Sequence, residues 1–435
     1  MVTPPPDPSR EGTAGRMHAY LQAQADVYGF SGSVLAARQG NIVFSGAYGF
    51  ANLEHRVANK VTTVFRIGSV TKQFTAAAIL LLEEDGRLSA NDAVRRHITE
   101  APAAWDGITL HHLLTHTSGI ASFTSLPDYA STMMLPSEPA KTIARVRDLP
   151  LEFVPGSKYA YCNSGYVLLG LVVERLAGTS YGEFLASRIF SPLGMNQTGY
   201  DSTSGICLNR AQGYSVRREG PVNAAYVNMT VPHAAGGLVS TVGDLFAWDR
   251  ALARGQILSG ESRRRLVTPA LEGYAYGWAI GAKEGRTRIS HGGGIDGFVC
   301  EFARYPDDDS CVINLSNRDW VPASVINHDV SAILFGLPCE VPRPYIEVAA
   351  SESVLDSYAG RYEVEPGQQM TLRREQRELI GAFPGQPPYV LYPDASGALF
   401  MKEMDLQIRF TRVNDAISSL TIHRAGNVTI ARKVS

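Results

Sequence analysis

Phe65-Arg66-Ile67-Gly68-Ser69-Val70-Thr71-Lys72-Gln73-Phe74 runs straight into Thr75-Ala76-Ala77-Ala78-Ile79-Leu80-Leu81-Leu82-Glu83-Glu84-Asp85-Gly86. After Gly68 the stretch predicts one helix. Ala and Leu dominate, neither Pro nor Gly interrupts before Gly86, and Glu83, Glu84 and Asp85 end the apolar run. It is apolar nearly all round, which predicts burial. A serine in the first turn of such a helix has its hydroxyl beside unpaired backbone N–H groups and the positive end of the helix dipole, an arrangement that favours a developing oxyanion. Lys72, three residues on, lies on the same face and within reach of Ser69. A partly desolvated lysine loses its proton near neutral pH and serves as a base. This is the one S-x-x-K in the chain. Spacing alone leaves a second reading open, a capping serine beside a lysine whose stem lies along apolar surface.

The rest of the chain bounds what this pair can serve. With 435 residues, 45% of them hydrophobic and 19% charged, the chain can bury a sizeable core in two or three structural units. A formal net charge of -2 and the lack of a long basic block give no reason to expect nucleic acid or membrane as partner. No apolar run approaches the ~20 residues of a membrane span. The opening decapeptide, rich in proline, lacks the apolar core of a signal peptide, so the sequence as given reads as cytoplasmic, or as periplasmic or secreted if a leader has been removed. Cys162, Cys207, Cys300, Cys311 and Cys339 are odd in number, scattered and without C-x-x-C, which predicts buried free thiols rather than a zinc knuckle or disulfide framework. His112 and His116 stand four apart, but no acidic residue lies between them and no third ligand is evident. No metal or cofactor is expected.

In chain order, residues 1 to about 12 predict a mobile lead-in and residues 16 to 28 a helix. Residues 31 to 49 predict two strands joined at Gln39-Gly40-Asn41, the start of an antiparallel sheet. Residues 108 to 119 predict a short helix ending in a glycine turn, and residues 166 to 186 and 241 to 266 a helical region. Gly178-Thr179-Ser180-Tyr181-Gly182 matches G-x-S-x-G, yet a helix rather than a strand precedes it, so Ser180 is expected to cap the helix that follows. Strands return at Tyr276–Gly281, Arg288–Ser290, Gly297–Arg304 and Cys311–Ser316, closed by a helix near 322 to 335. Three prolines in Leu337–Pro344 mark a stiff linker. From about 350 to 435, seven short strand patterns, at Gly360, Met370, Leu379, Ala398, Gln407, Ser419 and Val428, predict a small antiparallel barrel.

Two further stretches carry chemistry that would complete a site around Ser69. In Tyr161-Cys162-Asn163, the phenol is expected to have its pKa lowered by a nearby lysine and to act as base and proton shuttle, while the Asn163 amide would hold Lys72 and a substrate carbonyl. An aromatic core segment with a capping asparagine is the alternative. In His291-Gly292-Gly293-Gly294, glycine lets a substrate backbone lie close, leaves N–H groups free for an anion, and places a histidine that would orient Tyr161 or bind substrate. A simple turn with a structural histidine is the alternative there.

Taken together and in this order, the three stretches resemble the serine hydrolases related to penicillin-binding proteins and class C β-lactamases, over most of residues 20 to 335. Ser69-Val70-Thr71-Lys72 is similar to that family's S-x-x-K, Tyr161-Cys162-Asn163 to its Y-x-N and His291-Gly292-Gly293 to its H/K-x-G. Leu113–Gly119, Pro155-Gly156, Ala235–Thr241 and Tyr276-Gly277-Trp278 support the match. The resemblance implies an α/β (α+β) fold, an antiparallel sheet flanked by helices beside an all-helical region, with the site between them. It implies a catalytic domain over 1–340 and a lipocalin-like barrel domain over 350–435. In this reading Ser69 forms an acyl-enzyme, Lys72 and Tyr161 move protons, Asn163 and His291 assist, and the N–H groups of Ser69 and Gly294 form the oxyanion hole. Gly292 and Gly293 would line the substrate.

The motif variants are most similar to the D-stereospecific aminopeptidases of this group, with one C-terminal barrel in place of two. The family's Lys-Thr-Gly or His-Thr-Gly is here His-Gly-Gly, so the hydroxyl that would help to hold a substrate carboxylate is missing. The implied substrate is a small amide or short peptide. A carboxylesterase, a β-lactamase or carboxypeptidase, and a catalytically silent penicillin-binding receptor are the alternatives. Whether the barrel caps the site, binds a ligand or mediates assembly stays open, as does the oligomeric state.

Overall fold

The computed structural model describes residues 12–434 apart from 366, 384–387, 415, 425 and 426. The lead-in expected at the start lies, up to residue 11, outside the described residues. A six-stranded antiparallel sheet organises the first part of the chain. Its strands are β1 (Gly32–Arg38), β2 (Asn41–Tyr48), β3 (Ala279–Lys283), β4 (Arg286–Ile295), β5 (Phe298–Tyr305) and β6 (Ser310–Ser316), in the order β3-β4-β5-β6-β1-β2. Gln39 and Gly40 both have positive φ, the conformation a two-residue hairpin turn needs between β1 and β2.

The central strands are buried on both faces and read as apolar runs for that reason. Val34, Ala36 and Val312 face helices α1 (Thr13–Tyr28) and α5 (Ala323–Leu334), packing with Met17, Leu21, Ile326 and Val330. Leu35, Ile313 and Leu315 face the opposite side, where α2 (Thr71–Glu84) and α4 (Val242–Arg254) supply Phe74 and Trp248, their rings 4.8 Å apart.

Every residue of α2 from Thr71 to Leu82 is buried, as its composition predicts. It packs in the helical region beside α3 (Asn163–Ala177), which stops at Gly178 in the left-handed region. Ser180 then caps the helix Tyr181–Leu185 in a reciprocal box with Glu183. The expected start of a strand at Tyr276 is corrected: β3 begins at Ala279. Gly277, with φ +75°, turns against the start of α2, where a Cβ would lie 2.7 Å from the Lys72 carbonyl oxygen.

Beyond the proline linker the chain forms a closed barrel of eight strands, from Gly360–Glu365 to Asn427–Lys433. The strand absent from the sequence reading is Tyr389–Pro393, which is followed in the barrel by Leu399–Phe400. A helix, Glu352–Tyr358, precedes the barrel and packs against it. Tyr362, Met370, Leu379, Leu399, Ile408 and Leu420 fill the barrel as its own core. Arg218 pairs with Glu375 and Glu378 at 2.5 and 2.7 Å, and Tyr28 donates to Asp405 at 3.2 Å, so two separate points tie the barrel to the sheet-bearing part. Among the described residues no helix is long and apolar enough to cross a membrane.

Candidate active site

Gly68–Val70 form a tight 3-10 turn before α2 begins at Thr71. Gly68 has φ +46°, and a Cβ there would lie 2.8 Å from the Gly294 nitrogen. A Cβ on Gly293 would run into the Ile67 carbonyl oxygen and lie 2.6 Å from the Cys300 Sγ. The turn that carries Ser69 is therefore seated backbone to backbone on β4, which only glycine permits. The three glycines are regular strand, paired with Val299–Glu301 of β5. On the other edge β3 leaves β4 after Ser290, so residues 291–295 have no strand neighbour there and Gly294 is exposed.

Lys72 has no exposed surface. Its Nζ lies 3.0 Å from Ser69 Oγ, 2.8 Å from Asn163 Oδ1 and 2.7 Å from the Ala235 carbonyl oxygen. Burial holds the amine well below the usual lysine value, with the Cys162 thiol pulling the other way. In the uncharged form its two hydrogens satisfy Asn163 and Ala235, and its lone pair is left for the Ser69 hydroxyl proton. Asn163 opens α3, its backbone N–H donating to Ser122 Oγ at 3.1 Å. The amide expected to hold both lysine and substrate holds the lysine through Oδ1 and donates through Nδ2 to Thr124 Oγ1 at 3.1 Å.

Tyr161 lies beside Lys72, the Nζ 4.8 Å from its ring centre, and rests on His116 with ring centres 4.2 Å apart. The expected direction of its pKa is reversed. Although 39% of the residue is exposed, burial of the phenol pushes it above the ordinary tyrosine value and the Ser69 hydroxyl offsets this only in part. His291 is neutral. Its Nδ1 donates to the Gly292 carbonyl at 2.6 Å, and its Nε2 accepts from the Tyr274 hydroxyl at 2.9 Å. Burial and the neighbouring Lys72 bring its pKa down to about 4. It makes no hydrogen bond to Tyr161; their ring centres stand 6.2 Å apart.

Ser69, Lys72, Tyr161, Asn163, His291 and the Gly292–Gly294 edge thus meet at one place. The sequence reading missed what holds them. His116, in the left-handed region at φ +58°, accepts the Cys162 N–H on Nδ1 at 3.0 Å. It lies past the end of the helix Leu110–Leu114, while His112 caps that helix, so the two share no helical face. Leu113–Gly119 was a signal for this turn, and Ala235–Thr241 marked the segment, though not the contact, of the Ala235 carbonyl; nothing local pointed to Thr124 or Tyr274. Among the described residues no group of three or more His, Cys, Asp or Glu side chains is placed to hold a metal.

Known proteins share this chain's sequence and fold. Penicillin-binding protein 4* of Bacillus subtilis (strain 168) is 28% identical over 437 residues, covering 94% of this chain and 96% of its own. The octameric penicillin-binding protein homologue of Pyrococcus abyssi superposes with a TM-score of 0.69 at 27% identity, covering 96% of this chain and 99% of that one. A D-stereospecific amidohydrolase from Streptomyces sp. gives 0.64 at 26% identity over 74% of this chain and 99% of that one. Residues 18–332 match the beta-lactamase family model, and the chain belongs to that family of serine hydrolases.

Proposed function

We propose that the chain hydrolyses small amides and short peptides through an acyl-enzyme, in the manner of the D-stereospecific amidohydrolase it resembles. The observation that carries this is the Lys72 amine, stripped of water and 3.0 Å from Ser69 Oγ. In this reading Ser69 Oγ attacks the carbonyl carbon while Lys72 Nζ takes its proton. The N–H groups of Ser69 and Gly294 hold the oxyanion. Tyr161, a neutral phenol, gives its proton to the leaving nitrogen and is refilled from Lys72 as the C–N bond breaks. Water then attacks the Ser69 ester, its proton passes back through the same pair, and the acid leaves. Asn163 fixes Lys72, Gly292 and Gly293 border the bound substrate, and His291 acts with Tyr274 as a neutral support. The chain is read as two domains, 1–340 for catalysis and 350–435 as a lipocalin-like barrel.

The test is hydrolysis of D-Ala-p-nitroanilide, L-Ala-p-nitroanilide, p-nitrophenyl butyrate and nitrocefin by wild type and Ser69→Ala. Turnover of the D-amide, lost in the variant, is the expected result. Ester cleavage alone would assign a carboxylesterase, and nitrocefin turnover a β-lactamase. No turnover and no labelling by a serine-directed phosphonate would leave a binding protein.

A further inference from the structure

Gly292 and Glu301 stand directly opposite each other on β4 and β5, so their side-chain directions share one face of the sheet. A Cβ on Gly292 would lie 2.8 Å from Glu301 Oε2 and 3.9 Å from its Cδ. The carboxylate therefore leans across β4 and occupies the space a side chain at 292 would fill. Arg288 donates to the other oxygen, Oε1, at 2.8 Å and to Ser290 Oγ at 2.6 Å, which fixes the carboxylate in this pose. Glu301 is 7% exposed, and its burial opposes the charge that Arg288 and Ser290 favour. Gly292 belongs to the stretch of β4 with no strand neighbour on its outer edge, one residue from Gly293 and two from Gly294. An extended substrate added to that edge would lie one strand spacing away, ~4.8 Å.

We propose that Glu301 determines specificity by presenting a carboxylate through the notch at Gly292, so that the site takes amides bearing a positively charged amino group near the scissile bond and turns away those bearing a carboxylate there. The inference rests on the reading of Ser69 as nucleophile. It goes further than the missing hydroxyl at position 292, because it names what stands in the hydroxyl's place and what that group selects.

The experiment compares D-Ala-p-nitroanilide with its N-acetyl derivative in wild type, Glu301→Gln and Gly292→Ala. The methyl of Gly292→Ala displaces the carboxylate while leaving Arg288 and Glu301 chemically intact. Wild type is expected to prefer the free amine, and both variants to lower that preference about tenfold, mainly through KM. A wild type with no preference for the free amine overturns the proposal, as does an equal loss on both substrates, the mark of a purely structural role. Ser69→Ala is run beside them: retained activity there defeats the nucleophile reading itself, whereas activity lost there with an unchanged preference in the other two variants defeats the Glu301 proposal alone.

Discussion

Ser69 and Ser180 both stand at the start of a helix, and each sits in a short motif associated with a nucleophile. Their surroundings differ in every other respect. Ser180 is exposed; its hydroxyl donates to Glu183 Oε2 at 2.7 Å and accepts the Glu183 N–H at 3.3 Å. That carboxylate, held below its usual pKa by the Ser180 bonds, acts as a capping anion in water. Ser69 faces an amine whose pKa burial holds well below the usual lysine value. The contrast teaches that what a motif can do depends on the solvent around its partner: a serine beside a carboxylate in water is a cap, whereas a serine beside a buried amine has a neighbour whose hold on its proton is weakened.

The largest break in the comparison comes from alanine at each serine. Ser69→Ala is expected to lower turnover by about 10⁴-fold or more, whereas Ser180→Ala leaves turnover within about twofold, read on the substrates named above. Next is Lys72→Met, which removes the amine and keeps the apolar stem. A loss of roughly 10²–10⁴-fold in kcat is expected. In wild type the acid limb of kcat/KM should fall well below the usual lysine value, because the rate rises as this amine loses its proton with increasing pH.

A third effect concerns stability. The folded pKa of His291, about 4, lies below the unfolded value of 6.5, so between these values the unfolded chain binds more protons and stability falls as pH falls. This group alone accounts for about 3 kcal/mol lost between pH 7 and pH 4. Urea unfolding of wild type and His291→Gln at the two pH values should show the smaller loss in the variant. Smallest is the cap: Ser180→Ala is expected to cost ~1 kcal/mol, seen as a modest drop in melting temperature.

The helix that follows Ser69 and the one that ends at Gly178 were legible because apolar runs bounded by glycine specify them locally, whereas Pro139–Arg147 and Glu352–Tyr358, short and largely polar, were not. The β1–β2 hairpin was legible because Gln39-Gly40 fits its turn. The barrel strand Tyr389–Pro393 was hidden by Pro388 before it and Pro393 at its end, residues tolerated at strand margins but read as breakers in sequence. In the site, Ser69, Lys72, Tyr161 and Asn163 were legible as side chains in motifs. The Ala235 carbonyl that completes the Lys72 shell was not, since a backbone oxygen leaves no trace in residue identity. The state of Tyr161 was misjudged for a related reason: its pKa is set by burial among His116, Lys72 and Tyr274, which come from distant parts of the chain.

The pairing of β1 with β6, in which Gly32 faces Ser316, bears on how the molecule is made. During synthesis β1 and β2 emerge early as a hairpin, but the sheet that seats the Ser69 turn cannot close until β4, β5 and β6 have left the ribosome. Pairing across so much intervening chain is slow to form. Until it forms, Leu35 of β1 and Trp248 of α4 lack the Ile313 and Leu315 side chains that complete their side of the core, so the nascent chain carries part of that core uncovered through most of its synthesis. The interval before β6 docks is thus when the chain is most open to aggregation.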